Sequence, residues 1–185
     1  MKTKLSLLAL LAIVLVACNE PIGEAALIDG GWELQKLTSD KSVYADLSGN
    51  THLKDEPYTQ EFENKERVWL FYEAHISHWG YFSHDGEGYW SGYVDDADHA
   101  YVVEGEGEQM FIVETSRSII PGMEEHSTVT RYHVEKLTKS QMILTATVTP
   151  YISDLGTTVD VLNTYTFKRE NSLLDWILNY INSNY

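Results

Sequence analysis

The sequence predicts an all-β domain, an antiparallel up-and-down meander of about eight strands. Three observations carry this expectation. Short runs of alternating or densely apolar residues recur between Trp32 and Lys168. Turn signals divide them, among them Asp85-Gly86, Gly105-Glu106-Gly107 and Pro121-Gly122. Five Trp and twelve Tyr supply the aromatic residues that suit pleated, half-buried surfaces. Sequential hairpins of this kind close as a barrel or fold as a sandwich, and closure removes the exposed edges of an open sheet.

The chain opens with Lys2 and Lys4 followed by an apolar run from Leu5 to Ala17. A basic start and a brief apolar stretch have the layout of a secretory signal. The run is short of the ~20 apolar residues that a membrane-spanning helix needs. Leu15-Val16-Ala17-Cys18 resembles the lipobox of bacterial lipoproteins, and Cys18 is the single cysteine of the chain. The resemblance implies cleavage before Cys18 and acylation of its thiol, so that residues 1–17 are the signal peptide. It also implies, from Asn19 rather than an aspartate after the cysteine, an outer-membrane address. Buried acyl chains hold a protein to a bilayer by ~0.8 kcal/mol per methylene. Residues 18–28 then read as a lipidated tether, 29–170 as the barrel domain and 171–185 as a terminal helix.

The first strand is expected at Trp32–Thr38, with imperfect alternation. Residues 39–64 are polar, broken by Gly49-Asn50 and Pro57, and read as a long connection with room for a short helix or lid. Strands are expected at Arg67–Tyr72, His75–Phe82, Gly88–Val94, Tyr101–Val103 and Met110–Val113. Three more follow at His126–Leu137, Gln141–Thr149 and Val159–Lys168. Leu173, Leu174, Ile177, Leu178 and Ile181 recur at helical spacing after Ser172, which predicts an amphipathic helix over 172–182. A helix this short is marginal alone and must dock on something.

Three features in order resemble the bacterial lipocalin-like lipoproteins. Gly30-Gly31-Trp32 matches the Gly-x-Trp that opens the first lipocalin strand. Tyr132-His133-Val134-Glu135-Lys136-Leu137-Thr138 running into Gln141-Met142-Ile143-Leu144 is similar to a family strand-turn-strand. Tyr165-Thr166-Phe167-Lys168-Arg169 is similar to the closing strand. The resemblance covers about residues 29–170 and implies an eight-stranded lipocalin-like barrel in which Arg169 covers the ring of Trp32. The terminal helix and the long 39–64 segment depart from that pattern, and fold alone does not give function.

The whole chain carries a net charge of −15; without residues 1–17, and so without Lys2 and Lys4, 11 basic residues face 28 acidic ones, a net −17. Such a surface repels nucleic acid and anionic lipid. With no disulfide available, packing alone must stabilise the domain. The aromatic group around 69–93 is denser than packing requires, and Trp69, Phe71, Trp79, Tyr81, Trp90 and Tyr93 are the candidate ligand-binding residues. A barrel of about eight strands holds one small ligand. His75-x-x-His78 with His84 and Asp85 invites a metal reading, but residues three apart on a strand face opposite sides. Asp95, Asp96 and Asp98 cluster in an expected loop that could offer oxygens to calcium, but no EF-hand spacing is present and an acidic surface loop is the ordinary reading. No Gly-x-Ser-x-Gly elbow, His-Glu-x-x-His or phosphate loop is present, and no cofactor is implied. The leading expectation is therefore a non-enzymatic, lipid-anchored barrel that binds a small apolar or aromatic ligand. A solid barrel acting through its outer surface, as an accessory subunit to an envelope protein, is the alternative. An envelope enzyme using the histidines comes third.

Overall fold

The computed structural model describes residues 25–63, 66–84, 87–92, 99–118, 126–170, 172 and 179, with the backbone alone at 82–84, 87–92, 118 and 126. Its strands are β1 (Gly30–Ser39), β2 (Ser42–Ala45), β3 (Thr51–Lys54), β4 (Tyr58–Glu61), β5 (Arg67–Tyr72), β6 (His75–His84) and β7 (Glu87–Gly92). They continue as β8 (His99–Glu104), β9 (Phe111–Ser118), β10 (His126–Leu137), β11 (Gln141–Val148), β12 (Tyr151–Ile152), β13 (Thr157–Thr158) and β14 (Val161–Arg169).

Neighbouring strands pair antiparallel around the sheet, and β14 pairs with both β11 and β1, which closes an eight-position barrel. Two positions are interrupted. Strands β4 and β5 pair with opposite halves of β1, and β7 and β8 pair with opposite ends of β6. Closure decides between the barrel and sandwich expectations, because the first and last strands bond to each other. Two short hairpins, β2–β3 and β12–β13, stand outside the main sheet.

Alternation explains the core. Trp32 and Leu34 of β1, Tyr132 and Val134 of β10, and Met142, Leu144 and Ala146 of β11 are buried in one cluster with Phe167 of β14. The alternation fails where the register slips, between Leu34 and Lys36 in β1 and between Val134 and Lys136 in β10. Each bulge inserts a residue and changes which side chains face inward. Leu37 comes opposite Tyr165, and Leu137 rather than Lys136 is buried. The irregular pattern of Trp32–Thr38 is thus a bulge and not a weak strand.

One end of the barrel is sealed. Ala25–Leu27, inside the stretch read as tether, form a 3-10 turn, and Ile28 is fully buried. The indole N–H of Trp32 donates to the Ile28 carbonyl at 2.7 Å, and the Arg169 guanidinium lies 4.6 Å over the Trp32 ring. Arg169 also donates to the carbonyls of Leu27 at 2.7 Å and Asp29 at 2.5 Å. The two glycines before Trp32 are required by this plug. Gly30 has φ +122°, and a Cβ there would lie 2.7 Å from an Arg169 nitrogen; one on Gly31 would lie 2.2 Å from the Glu170 carbonyl oxygen.

Three expectations need amendment or fall elsewhere. The 39–64 segment is no featureless connection: it holds the β2–β3 hairpin and β4. Its strands are four residues each and mostly exposed, so they carry little apolar periodicity. The helix read over 172–182 lies outside the described residues apart from Ser172 and Asn179, and no helical element is described there. Residues 1–17, Cys18 and Asp95, Asp96 and Asp98 also lie outside them.

Candidate functional site

Inside the barrel, above the sealed end, sits a layer of aromatic and ionisable side chains. Trp69 of β5 lies opposite His78 of β6. The rings stack at 4.2 Å with an 8° tilt. Trp69 also meets Tyr132 edge-on at 5.5 Å, Tyr165 at 5.4 Å and Phe167 at 4.9 Å. Aromatic pairs at these distances add packing energy beyond their burial.

The carboxylate of Glu114 completes the layer. Glu114 is 5 % exposed, because it shares the inward face of β9 with the buried Ile112. The Tyr132 hydroxyl donates to its Oε2 at 2.9 Å. Its Oε1 lies 3.3 Å from His78 Nε2 and 3.3 Å from His99 Nδ1. Burial alone pushes this carboxyl up, but the close approach of His78, with hydrogen bonds from Tyr132 and His99, outweighs it and holds the group below the usual glutamate range. Burial and the neighbouring Glu114 charge push the Tyr132 phenol up. The layer is an ionic floor: Glu114 is bonded by Tyr132 and His99, while His78 Nε2 is buried 3.3 Å from it outside hydrogen-bond geometry.

Beyond this floor, towards the end of the barrel opposite Trp32, the interior opens into a cavity of about 270 Å³. Leu37, Val148 and Val161 form apolar wall, Ser39 and Asn163 form polar wall, and Lys41, Val43, Tyr58 and Pro150 form the rim. The polar wall is internally satisfied, since Ser39 donates to Asn163 Oδ1 at 2.6 Å and Asn163 Nδ2 donates to the Tyr165 hydroxyl at 3.2 Å. Tyr165 then meets Tyr132 edge-on at 5.8 Å, which connects the cavity to the Glu114 floor.

The six candidate aromatics are dispersed. Trp69 and Phe71 are packed in the core cluster. Trp79 pairs with Val68 on the other face of the sheet and is buried there, outside that cluster; Tyr81, two residues on, is exposed. Trp90 pairs with Tyr81 in the backbone, and Tyr93 lies outside the described residues. Of the four whose side chains are described, Trp69, Phe71, Trp79 and Tyr81, none lines the 270 Å³ cavity. His75 and His78 do face opposite sides: His78 stacks on Trp69 inside, and His75 pairs with Tyr72. Among the described residues no three His, Cys, Asp or Glu side chains are placed to hold a metal ion.

Sequence reasoning did not single out Glu114, His99, Tyr132 or Asn163. A signal existed for one of them. In Ile112-Val113-Glu114-Thr115, a carboxylate shares the parity of a buried isoleucine, which asks for inward-facing partners. Compared with known proteins, the chain matches no family model, no curated protein and no solved structure.

Proposed function

We propose that this protein is a non-enzymatic, lipid-anchored envelope lipoprotein of lipocalin-like build, whose barrel binds one small apolar or aromatic ligand. The observation that carries the binding reading is the cavity of about 270 Å³ at one end of the barrel. It approaches the scale of small-molecule sites and has their make-up, mostly apolar with a few convergent polar groups. The lipocalin kinship is supported by the Trp32–Arg169 plug and the closed eight-position barrel. Anchorage at Cys18 and an outer-membrane location rest on the lipobox resemblance. The charge of −15 supports partners other than nucleic acid.

The terminal segment fits the outer face of β1, β5 and β6. There Val68, Leu70 and Trp79 are buried with outward parity. The chain reaches that face at Glu170, whose amide donates to the Gly31 carbonyl at 2.9 Å. An amphipathic helix over 172–182 docked on this face would account for the burial.

The accessory-subunit reading has its own support in Tyr44, Leu47, Tyr151 and Leu155, apolar side chains exposed on the two outlying hairpins. One experiment separates the two. The full chain carrying Cys18→Ala is titrated with the fluorescent probe N-phenyl-1-naphthylamine, alone and with Val161→Trp filling the cavity. Saturable binding weakened about tenfold or more by the tryptophan, ~1.4 kcal/mol or more, supports the ligand reading. Absent binding, or binding indifferent to Val161→Trp, sinks it and moves attention to the hairpins. Metabolic labelling with a palmitate analogue tests the anchor: label must vanish in Cys18→Ala.

A further inference from the structure

The rim of the cavity is built from two hairpins that are tied together by a single imidazole. His52 of β3 sits between Asp46, in the β2–β3 turn, and Asp154, in the β12–β13 turn. Its Nε2 is 3.2 Å from Asp46 Oδ2, and its Nδ1 contacts Asp154 Oδ2 closely. The remaining cross-hairpin bonds run from the Thr51 amide to Ser153 Oγ at 3.1 Å and from the Asp154 amide to the Thr51 carbonyl at 3.5 Å. The chain entering β2, at Lys41 and Val43, and the chain entering β12, at Pro150, form part of the cavity lining. Separating the hairpins therefore moves two sides of the cavity rim.

The tie depends on one proton. An imidazole donates to two carboxylates only when both ring nitrogens carry hydrogen. The neutral ring keeps one N–H and turns a lone pair towards the other carboxylate. We propose that the Asp46–His52–Asp154 clamp is a proton-operated latch on the rim cavity, closed when His52 carries both ring protons and released when it loses one. This rests on the ligand-binding reading of the cavity and adds its regulation.

The surroundings of His52 are consistent with a switch at this residue. The Tyr44 ring stacks on it at 5.2 Å, which favours the cation, while Lys54 Nζ stands 5.4 Å over the Tyr44 ring and 3.7 Å from Glu56 Oε1. Asp46 cannot be the switch near neutrality. Hydrogen bonds from the Asn50 side chain and amide, then from His52, hold its carboxyl down to about 2. The bonds to Asp46 and then to Asp154 raise the His52 pKa above its ordinary 6.5. A raised folded pKa means that the latch is fully set below the unfolded value of 6.5 and is lost as pH rises through the folded value.

The test reads the latch and the ligand separately. Amide hydrogen exchange at Thr51 and Asp154, expressed as protection relative to the free chain, is measured at about pH 5 and about pH 8.5, on either side of the imidazole range. The full chain carrying Cys18→Ala is compared with added His52→Phe, which keeps the stack on Tyr44 and removes both bonds, and with Asp154→Asn. The release rate of N-phenyl-1-naphthylamine is followed in the same samples. The expected result is a several-fold loss of protection and a several-fold faster release at the higher pH. His52→Phe should be open at both pH values, and Asp154→Asn should lose most of the pH dependence. Saturable probe binding with pH-independent protection and release overturns the latch and leaves the ligand reading standing. If protection falls with pH but the probe does not bind, the ligand reading fails and the gating role fails with it.

Discussion

Replacing Glu114 with glutamine tests whether the charged floor holds the barrel together. The substitution keeps the shape and one acceptor but removes the charge. The Tyr132 hydroxyl now bonds a charged oxygen at 2.9 Å. Bonds to charged groups contribute about 1.5–3 kcal/mol, against about 1 for neutral ones, so this contact loses roughly 0.5–2 kcal/mol. The contacts to His78 and His99 are longer, at 3.3 Å each, and together add about 1 kcal/mol to the loss. The variant should be about 1.5–3 kcal/mol less stable near pH 7, a drop in Tm of about 3–12 °C for a domain of this size. Thermal unfolding followed by circular dichroism, paired with urea denaturation, measures it. The pH dependence adds a second check. The folded pKa of Glu114 lies below its ordinary value of 4.5. Its ionic contribution is therefore present above that value and lost as pH falls through the folded one. The gap between the two proteins should be widest near neutrality and shrink on acidification. A Glu114→Gln protein within ~0.5 kcal/mol of the parent at pH 7, or a gap that widens in acid, would refute the account of the floor.

Two further substitutions test the sealed end and the outer face. Gly31→Ala puts a methyl group 2.2 Å from the Glu170 carbonyl oxygen, a backbone atom that cannot swing aside, so we expect a loss of about 2 kcal/mol or more in urea denaturation. Leu70→Ala removes a fully buried side chain from the outward face; it should cost about 2–4 kcal/mol and expose residues 172–182 to limited proteolysis, and an unchanged cleavage pattern there would count against the docked segment.

The barrel was legible because its strands are long enough to show period two. Arg67–Tyr72 and His126–Leu137 have the bounds expected from pattern alone, whereas the Trp32–Arg169 contact was an implication of the resemblance carried by Gly30-Gly31-Trp32 and the closing strand. The site was less legible for physical reasons. Trp69 and Trp79 look alike in sequence, yet odd and even register against β5 and β6 sends one inside and the other out. Glu114 reads as an ordinary acidic residue until β8, β6 and β10 bring His99, His78 and Tyr132 to it. The His52 clamp joins positions about a hundred residues apart, with a separation of 102 between His52 and Asp154, so no local pattern announces it. The cavity walls, Leu37, Val148 and Val161, are common strand residues whose common face appears only once β1, β11 and β14 pair.

The positions of the two barrel ends constrain how a Cys18-anchored molecule would meet a bilayer. The described chain begins at Ala25, beside the Trp32 plug, seven residues after Cys18. Seven extended residues reach at most about 25 Å. The cavity is at the far end of the same barrel. Val161 lines it and Arg169 covers Trp32, eight residues apart on β14. At ~3.4 Å per residue and a tilt of ~40°, the two ends stand about 20 Å apart along the axis. In a Cys18-anchored molecule a tether this short would hold the sealed end towards the membrane and turn the mouth, with its hairpins, away from it. A ligand would then arrive from the aqueous side or from a partner and not by lateral entry from the lipid. With the lipidated full chain in vesicles carrying a bilayer-embedded quencher, a fluorophore at Leu47 on the β2–β3 turn should be poorly quenched, and one at Asp29 beside the plug strongly quenched. Strong quenching at Leu47 would place the mouth on the membrane and overturn this orientation.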